Sequence, residues 1–263
     1  MKLKKLLAVA LLAALTLTGC SSSPAGNSSA ASEKSGLDDK KIVVGTNAEY
    51  DPFEYLDDKG NLTGFDVELT NAIVEKMGME VEWIDMPFES LIGAMEAGNV
   101  EMIAAAIGPT PDRARSCDFS DVYYSGYQSI VAPKGSGYNS LESLKGKKIA
   151  VLEGSLSDVI ASGENKDYGV VEAAEVRRFK NATQVIQELE NNAVDVAMLD
   201  MIIAEKFVAD RTTLEQNKLD STSEDTVFAI KKGDAKLVQA VNDALAELRK
   251  DGTYDELYTK YFS

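Results

Sequence analysis

The 263-residue chain has no histidine, one tryptophan and two cysteines. Without histidine there is no Ser/His or Cys/His nucleophilic pair, no imidazole ligand for zinc and no side chain of the type that most often serves as general base near neutral pH. Cys20 closes an N-terminal address segment, so Cys117 is left without a partner and no internal disulfide is expected; a small core-facing residue is the ordinary reading of Cys117. Basic residues are scarce as well, with 27 Lys and Arg against 43 Asp and Glu and a formal net charge of -16. Phosphate binding needs a basic face, and no basic stripe is present, which argues against a nucleic-acid partner. Neither a GxxxxGK loop nor a GxGxxG turn after a strand occurs, so nucleotide cofactors have no visible seat. The stretch LDDKGNLTG (56 to 64) reads as a hairpin turn and lacks the ligand spacing of a calcium loop. No cofactor and no metal are expected.

Long apolar runs are limited to one. Residues 6 to 17 form a hydrophobic segment behind Lys2, Lys4 and Lys5, too short to span a bilayer and of the right length for a secretion signal (1 to 19). It ends in Leu17-Thr18-Gly19-Cys20, which resembles the bacterial lipobox, in which the cysteine is acylated and becomes the new N-terminus. A plain secretory signal with an incidental Cys20 is the alternative. Residues 20 to 36 then comprise the lipidated Cys20 and SSSPAGNSSAASEKSG, small and polar as a flexible tether is. Signal removal deletes three lysines and no acid.

The body alternates short β-rich runs with helical patterns. KIVVG (41 to 45), MEVEWI (79 to 84), VEMIAAA (100 to 106), KKIAVLEG (147 to 154) and AVDVAMLD (193 to 200) read as strands. FDVELTNAIVEKMG and PFESLIGAMEAGN read as helices that end near glycine, giving an α/β pattern. Two segments about ninety residues apart, VEMIAAAIGPTPDR and VDVAMLDMIIAEK, each run from an apolar strand through a polar turn into a helix. Turns of this kind lie at the carboxyl ends of strands, where open α/β sheets bind ligands, so two of them could face each other across a cleft. In the first, Thr110 and Pro111 signal a helix start and put Arg113 in the first turn, the wrong sign for a helix N-terminus. Arg113 therefore either faces an anion or pairs with a local acid such as Asp118. Asp200, which closes the second strand, reads by pattern as an N-cap of the helix that follows.

The order of GTNAEYDPFEYLDDKGNLTGFDVELTNAI, MPFESLIGAMEAGNVEMIAAAIGPTPDRARSCDFSDVYYSGYQSIV, SLKGKKIAVLEGS and AVNDALAELRKDGTYDELYTKYF resembles the amino-acid-binding proteins of ABC importers. The likeness runs from residue 41 to 262. It implies a two-lobed α/β fold of the type II periplasmic-binding class with two crossing hinge strands, lobe 1 being 37 to 124 plus 226 to 263 and lobe 2 125 to 225. It further implies a monomer, lipid-anchored at the extracytoplasmic face of the bacterial membrane, that closes on a free L-amino acid and delivers it to ABC permease subunits, and that is not an enzyme.

The resemblance assigns roles residue by residue. Arg113 matches the arginine that grips the α-carboxylate, for which a guanidinium is well suited because it can donate two parallel hydrogen bonds. Asp200 matches the acid that accepts the α-ammonium. Ser155 and the amide of Leu156 match a turn that meets the carboxylate from lobe 2, although a helix cap also explains Ser155. Tyr50 and Phe88 match aromatic walls around the ligand side chain, where isolated aromatics would otherwise read as core. Two departures stand out: relatives often have an acid where this chain has Asn47, and a hydroxyl where it has Gly108, so only main-chain groups remain at Gly108 and Ala106. An amide at Asn47 between flat walls suits a neutral polar or small apolar side chain better than a cationic one. A dehydratase-like enzyme using Glu49 or Glu153 as acid, or a sensing lipoprotein without a transporter, are the rival readings.

Overall fold

The computed structural model describes residues 35–38, 40–164 and 171–262; the signal segment, Cys20 and most of the tether lie outside them. The chain begins with β1 (Lys41–Thr46), then the small strands β2 (Glu49–Tyr50), β3 (Glu54–Leu56) and β4 (Leu62–Thr63). β3 and β4 form the expected hairpin, whose turn is held by Asp57 Oδ1 accepting from the Lys59 and Asn61 amides at 2.9 and 2.8 Å, a local side-chain turn typical of Asp. Gly64, at φ 126°, ends it where a Cβ would lie 2.2 Å from the Phe53 carbonyl oxygen, so only glycine fits.

Helix α1 (Phe65–Lys76), β5 (Glu80–Asp85), α2 (Leu91–Glu96), β6 (Met102–Ile103), α3 (Arg113–Ser116) and β7 (Cys117–Phe119) follow. Next come β8 (Tyr124–Pro133), β9 (Lys148–Leu152), α4 (Leu156–Ser162), β10 (Glu175–Phe179), α5 (Ala182–Glu190), β11 (Val196–Asp200) and α6 (Met201–Ala209). The chain closes with β12 (Leu214–Thr226), β13 (Ala229–Lys231), α7 (Ala235–Asp251) and α8 (Thr253–Phe262). One five-stranded sheet has the order β5-β1-β6-β13-β7, the other β10-β9-β11-β8-β12. Each sheet belongs to one lobe, and the chain passes between lobes twice, from β7 into β8 and from β12 into β13. The outgoing and returning strands pair antiparallel, with Glu224 opposite Gly126 and Thr226 opposite Tyr124.

The lobes are built on apolar faces at regular spacing. Leu237, Val241, Ala244, Leu245 and Leu248 of α7 are buried in the core shared with Phe65 and Ile73 of α1, the stripe of an amphipathic helix. Burial of each such side chain stabilises the fold by roughly 1.5–3 kcal/mol. α7 starts at Asp234, whose carboxylate accepts from Leu237 N at 3.1 Å and from Ser35 Oγ at 2.7 Å, so one cap also fastens the first described residues.

One strand is shorter than its pattern. The apolar run 100 to 106 pairs only as β6, flanked by Glu101 N to Val43 O (2.9 Å) and Ala104 N to Gly45 O (3.0 Å). The chain then turns away at Ala106, whose φ is 46° and whose amide donates to Asp66 Oδ2 at 2.7 Å. A carboxylate from α1 has taken the amide that the sheet would have used. Cys117 is a buried free thiol in the core under β7, and burial pushes its pKa up to about 11, so it is an unreactive core residue.

Candidate ligand-binding site

The site residues come from the carboxyl ends of parallel strands, where backbone amides and loops are free to face a ligand. Asn47 and Tyr50 follow β1, Phe88 follows β5, and Ala106, Gly108 and Arg113 follow β6. From the other lobe, Ser155 and Leu156 follow β9 and Asp200 ends β11. Eight of these nine line one cavity between the lobes. Gly108 does not line it; its carbonyl stands just behind, accepting from Arg113 Nη1 at 2.7 Å.

Arg113 is the first residue of α3, a helix of four residues, too short for a macrodipole of any size. Its amide donates to Thr110 Oγ1 at 3.2 Å, and the Ala114 amide to Thr110 O at 2.9 Å. The expected helix start at Thr110 is present, but these amides serve the cap, and an anion here would meet the guanidinium instead. Nη2 reaches across the cleft to Gly154 O at 2.7 Å, and the guanidinium carbon lies 5.4 Å from the Phe88 ring centroid, a cation–π distance. Asp118, the local acid considered as a partner, pairs with Lys232 at 2.7 Å.

Asp200 sits in the capping position of α6 yet makes no side-chain cap bond. Its carboxylate instead accepts from the Tyr50 hydroxyl and from Gln128 Nε2. Tyr50 belongs to the opposite lobe, so this contact closes the cleft. Ser155, in contrast, is the N-cap of α4, accepting from Asp158 N at 3.2 Å while also lining the cavity. Of the two readings of Ser155, the cap is the contact observed.

Two polar residues entered the site unannounced. Glu224, on β12, lines the cavity beside Asp200, and Gln128, on β8, donates its amide to both carboxylates while its carbonyl accepts from Ser157 Oγ. Burial is the main force on all three titratable groups here. It pushes the Tyr50 phenol well above its ordinary pKa, with the Asp200 charge adding to it. It raises Asp200 against the opposing hydrogen bonds from Tyr50 and Gln128 and the Arg113 charge. Glu224 is raised too, by burial and then by Asp200, with Arg113 opposing. The cavity lining thus combines the cation Arg113, the acids Asp200 and Glu224, and the apolar side chains Phe88, Leu152 and Leu156. At the mouth, Lys180 bridges Glu89 of one lobe and Glu153 of the other, the latter at 2.7 Å.

Residues 42–263 match the model of the bacterial extracellular solute-binding proteins, family 3. The chain belongs to that family. An arginine-binding extracellular protein of Bacillus subtilis is 35% identical over 100% of this chain and 99% of its own length. Among solved structures, an ancestral arginine-binding protein bound to arginine superposes with a TM-score of 0.78 at 36% identity, covering 86% of this chain and 99% of that one. An ancestral arginine-binding protein bound to glutamine gives 0.77 at 35% identity, covering 85% and 98%. The two-lobed architecture is therefore the type II periplasmic-binding fold of this family, and the relatives are extracellular solute-binding proteins.

Proposed function

We propose that the chain is the solute-binding component of an ABC importer and that it captures one free amino acid between its lobes. The observation that carries this is the placement of Arg113 from one lobe and Asp200 from the other on a single cavity, a guanidinium and a carboxyl on the two sides of the cleft. The ligand's carboxylate replaces the carbonyl contacts of the Arg113 guanidinium, and its ammonium meets Asp200. Because the two groups ride on different lobes, the ligand is held fully only when the lobes are together, so binding drives hinge closure. Cys20 as lipid anchor and the polar tether would hold this module at the extracytoplasmic face, within reach of its permease. Catalysis does not fit: Glu153 is tied to Lys180, and Glu49 does not line the cavity.

For the side chain, the cavity offers Asn47, whose amide donates to Met86 O at 3.2 Å, and the walls Tyr50 and Phe88, which favours a neutral polar or small apolar amino acid. A cationic side chain is the second reading, favoured by Glu89 Oε2, which is buried and accepts no hydrogen bond. Among the relatives named above, one is an arginine-binding protein, one is bound to arginine and one is bound to glutamine. Competition calorimetry with glutamine, threonine, lysine and arginine separates the readings by rank order.

The test of the function itself is a thermal-shift panel of the twenty L-amino acids on the wild type and on Arg113→Ala. A ligand at a hundredfold excess over its Kd stabilises the wild type by about 2.7 kcal/mol. Removing one member of a desolvated charge pair costs about 2–5 kcal/mol, roughly 30- to several-thousand-fold in affinity, so the mutant should keep at most about a third of that stabilisation at the same concentration. A wild type that no amino acid stabilises, or a mutant that shifts equally, would refute the reading.

A further inference from the structure

Gly108 and Glu224 are far apart in sequence and meet at the site. A Cβ placed on Gly108 would lie 2.7 Å from Glu224 Oε1, closer than real contacts allow, so the glycine is what admits the carboxylate to this position. Glu224 Oε2 accepts from the same Gln128 amide that serves Asp200. Both acids thus stand on one wall of the cavity, held in a fixed relation by a single side chain that is itself completely buried.

A second half-buried acid beside Asp200 is costly to the fold on its own, since desolvation and like charge both oppose it. One cation, Arg113, faces the two carboxylates. Once the guanidinium is engaged with a ligand carboxylate, the positive group left to balance the acids is the ligand's own ammonium. Asp200 already receives hydrogen bonds on both oxygens, from Tyr50 and Gln128. A primary ammonium carries three donors and needs more acceptors than Asp200 has to spare.

We propose that Glu224 is a second carboxylate of the ammonium seat, sharing the ligand's protonated primary amine with Asp200, and that Gly108 is required to let it in. This rests on the amino-acid reading given above and deepens it. It makes the site selective for the α-ammonium itself: a compound that lacks the amine leaves two acids without their counter-charge.

The experiment is a double-mutant cycle in the full chain, with Glu224→Ala, Gly108→Ala and the double variant. Each is titrated by calorimetry with the tightest binder among the twenty L-amino acids and with the same compound lacking its α-amino group. Charge-assisted hydrogen bonds lost at Glu224 should weaken the amino acid by about 10- to 100-fold while leaving the amine-free analogue within about threefold. The Gly108→Ala methyl group should push the carboxylate out and reproduce most of that loss. In the double variant the methyl should add little, about threefold at most, because the near contacts with Glu224 are gone and the next is the Asp225 carbonyl oxygen at 3.3 Å. If Glu224→Ala does not fold, the near-isosteric Glu224→Gln replaces it, with the same expected direction and a loss of at least about tenfold. Amino-acid binding within about threefold of wild type in the Glu224 variant, equal loss for both ligands, or additive losses in the cycle would each overturn the proposal. Those outcomes leave the functional reading standing, whereas a wild type that binds no amino acid removes both.

Discussion

Glu54 and Asp66 form a pair of fully buried acids, and beside the half-buried Asp200 and Glu224 they show what separates an acid of the scaffold from an acid facing the cavity. Glu54 is 1% and Asp66 0% exposed. Burial raises the pKa in both pairs, Glu54 well above its ordinary value and Asp66 to about 7, so a raised pKa does not mark the site. The partners do. Asp66 Oδ2 accepts from the Ala106 amide at 2.7 Å and the Tyr123 hydroxyl at 2.6 Å, tying α1 to the turn after β6 and to the start of the first crossing. Neither Asp66 Oδ1 nor either oxygen of Glu54 has a hydrogen-bond partner among the described residues. Asp200 and Glu224 instead line a cavity that Arg113 also lines. One pair ties α1 to the turn after β6, and the other faces the cavity.

The strongest way to break this comparison is to neutralise one acid of each pair. Asp200→Asn should weaken amino-acid binding by about 30-fold or more, since a desolvated charge pair is worth about 2–5 kcal/mol, while the melting temperature stays or rises because a buried charge has gone. Asp66→Ala should do the reverse. It leaves the Ala106 amide and Tyr123 hydroxyl without an acceptor, at about 1–3 kcal/mol each, and lowers the melting temperature by roughly 2–4 °C per kcal/mol. Calorimetry and thermal melts on both variants decide whether the losses fall as stated.

A smaller effect follows from pH. Asp66 is protonated in the fold up to about pH 7, whereas in the unfolded chain it ionises near pH 4. The unfolded state therefore loses protons first, and this group's contribution, full below about pH 4, declines as pH rises and is gone above about 7. Urea titrations between pH 4 and 8 should show that decline in the wild type and a flatter profile in Asp66→Asn. The smallest effect should come from Lys180→Ala. Its side chain is 56% exposed, and loss of such a surface bridge should change affinity by less than about fivefold.

Much of this was legible in the chain. Thr110 and Pro111 announced the turn that carries Arg113, and the closing Asp200 of an apolar strand announced an acid at a sheet's carboxyl end. The family pattern then gave them roles that local rules left open. What the pattern did not reach is Glu224 and Gln128, because STSED is a polar run without an apolar period and its place depends on pairing with a strand a hundred residues earlier. A faint signal was present: Thr222, Glu224 and Thr226 alternate along β12, the two threonines are buried, and period 2 puts the acid on their face. Gly108 carried the other half of the message. Read alone it was a missing hydroxyl; beside Glu224 it is the space an acid occupies. The strand reading of residues 100 to 106 ran long for the same kind of reason, since the Asp66 carboxylate that captures the Ala106 amide comes from another element.

The central claim is that a zwitterion is held by Arg113 at one end and by Asp200 with Glu224 at the other. Calorimetry of the wild type with its best L-amino acid, with the amine that lacks the carboxylate and with the acid that lacks the α-amine tests it directly. Each truncation should cost about 2–5 kcal/mol, roughly 30-fold or more in Kd, because each leaves a buried charge unpaired. Binding of either truncated compound within about threefold of the amino acid would contradict the account.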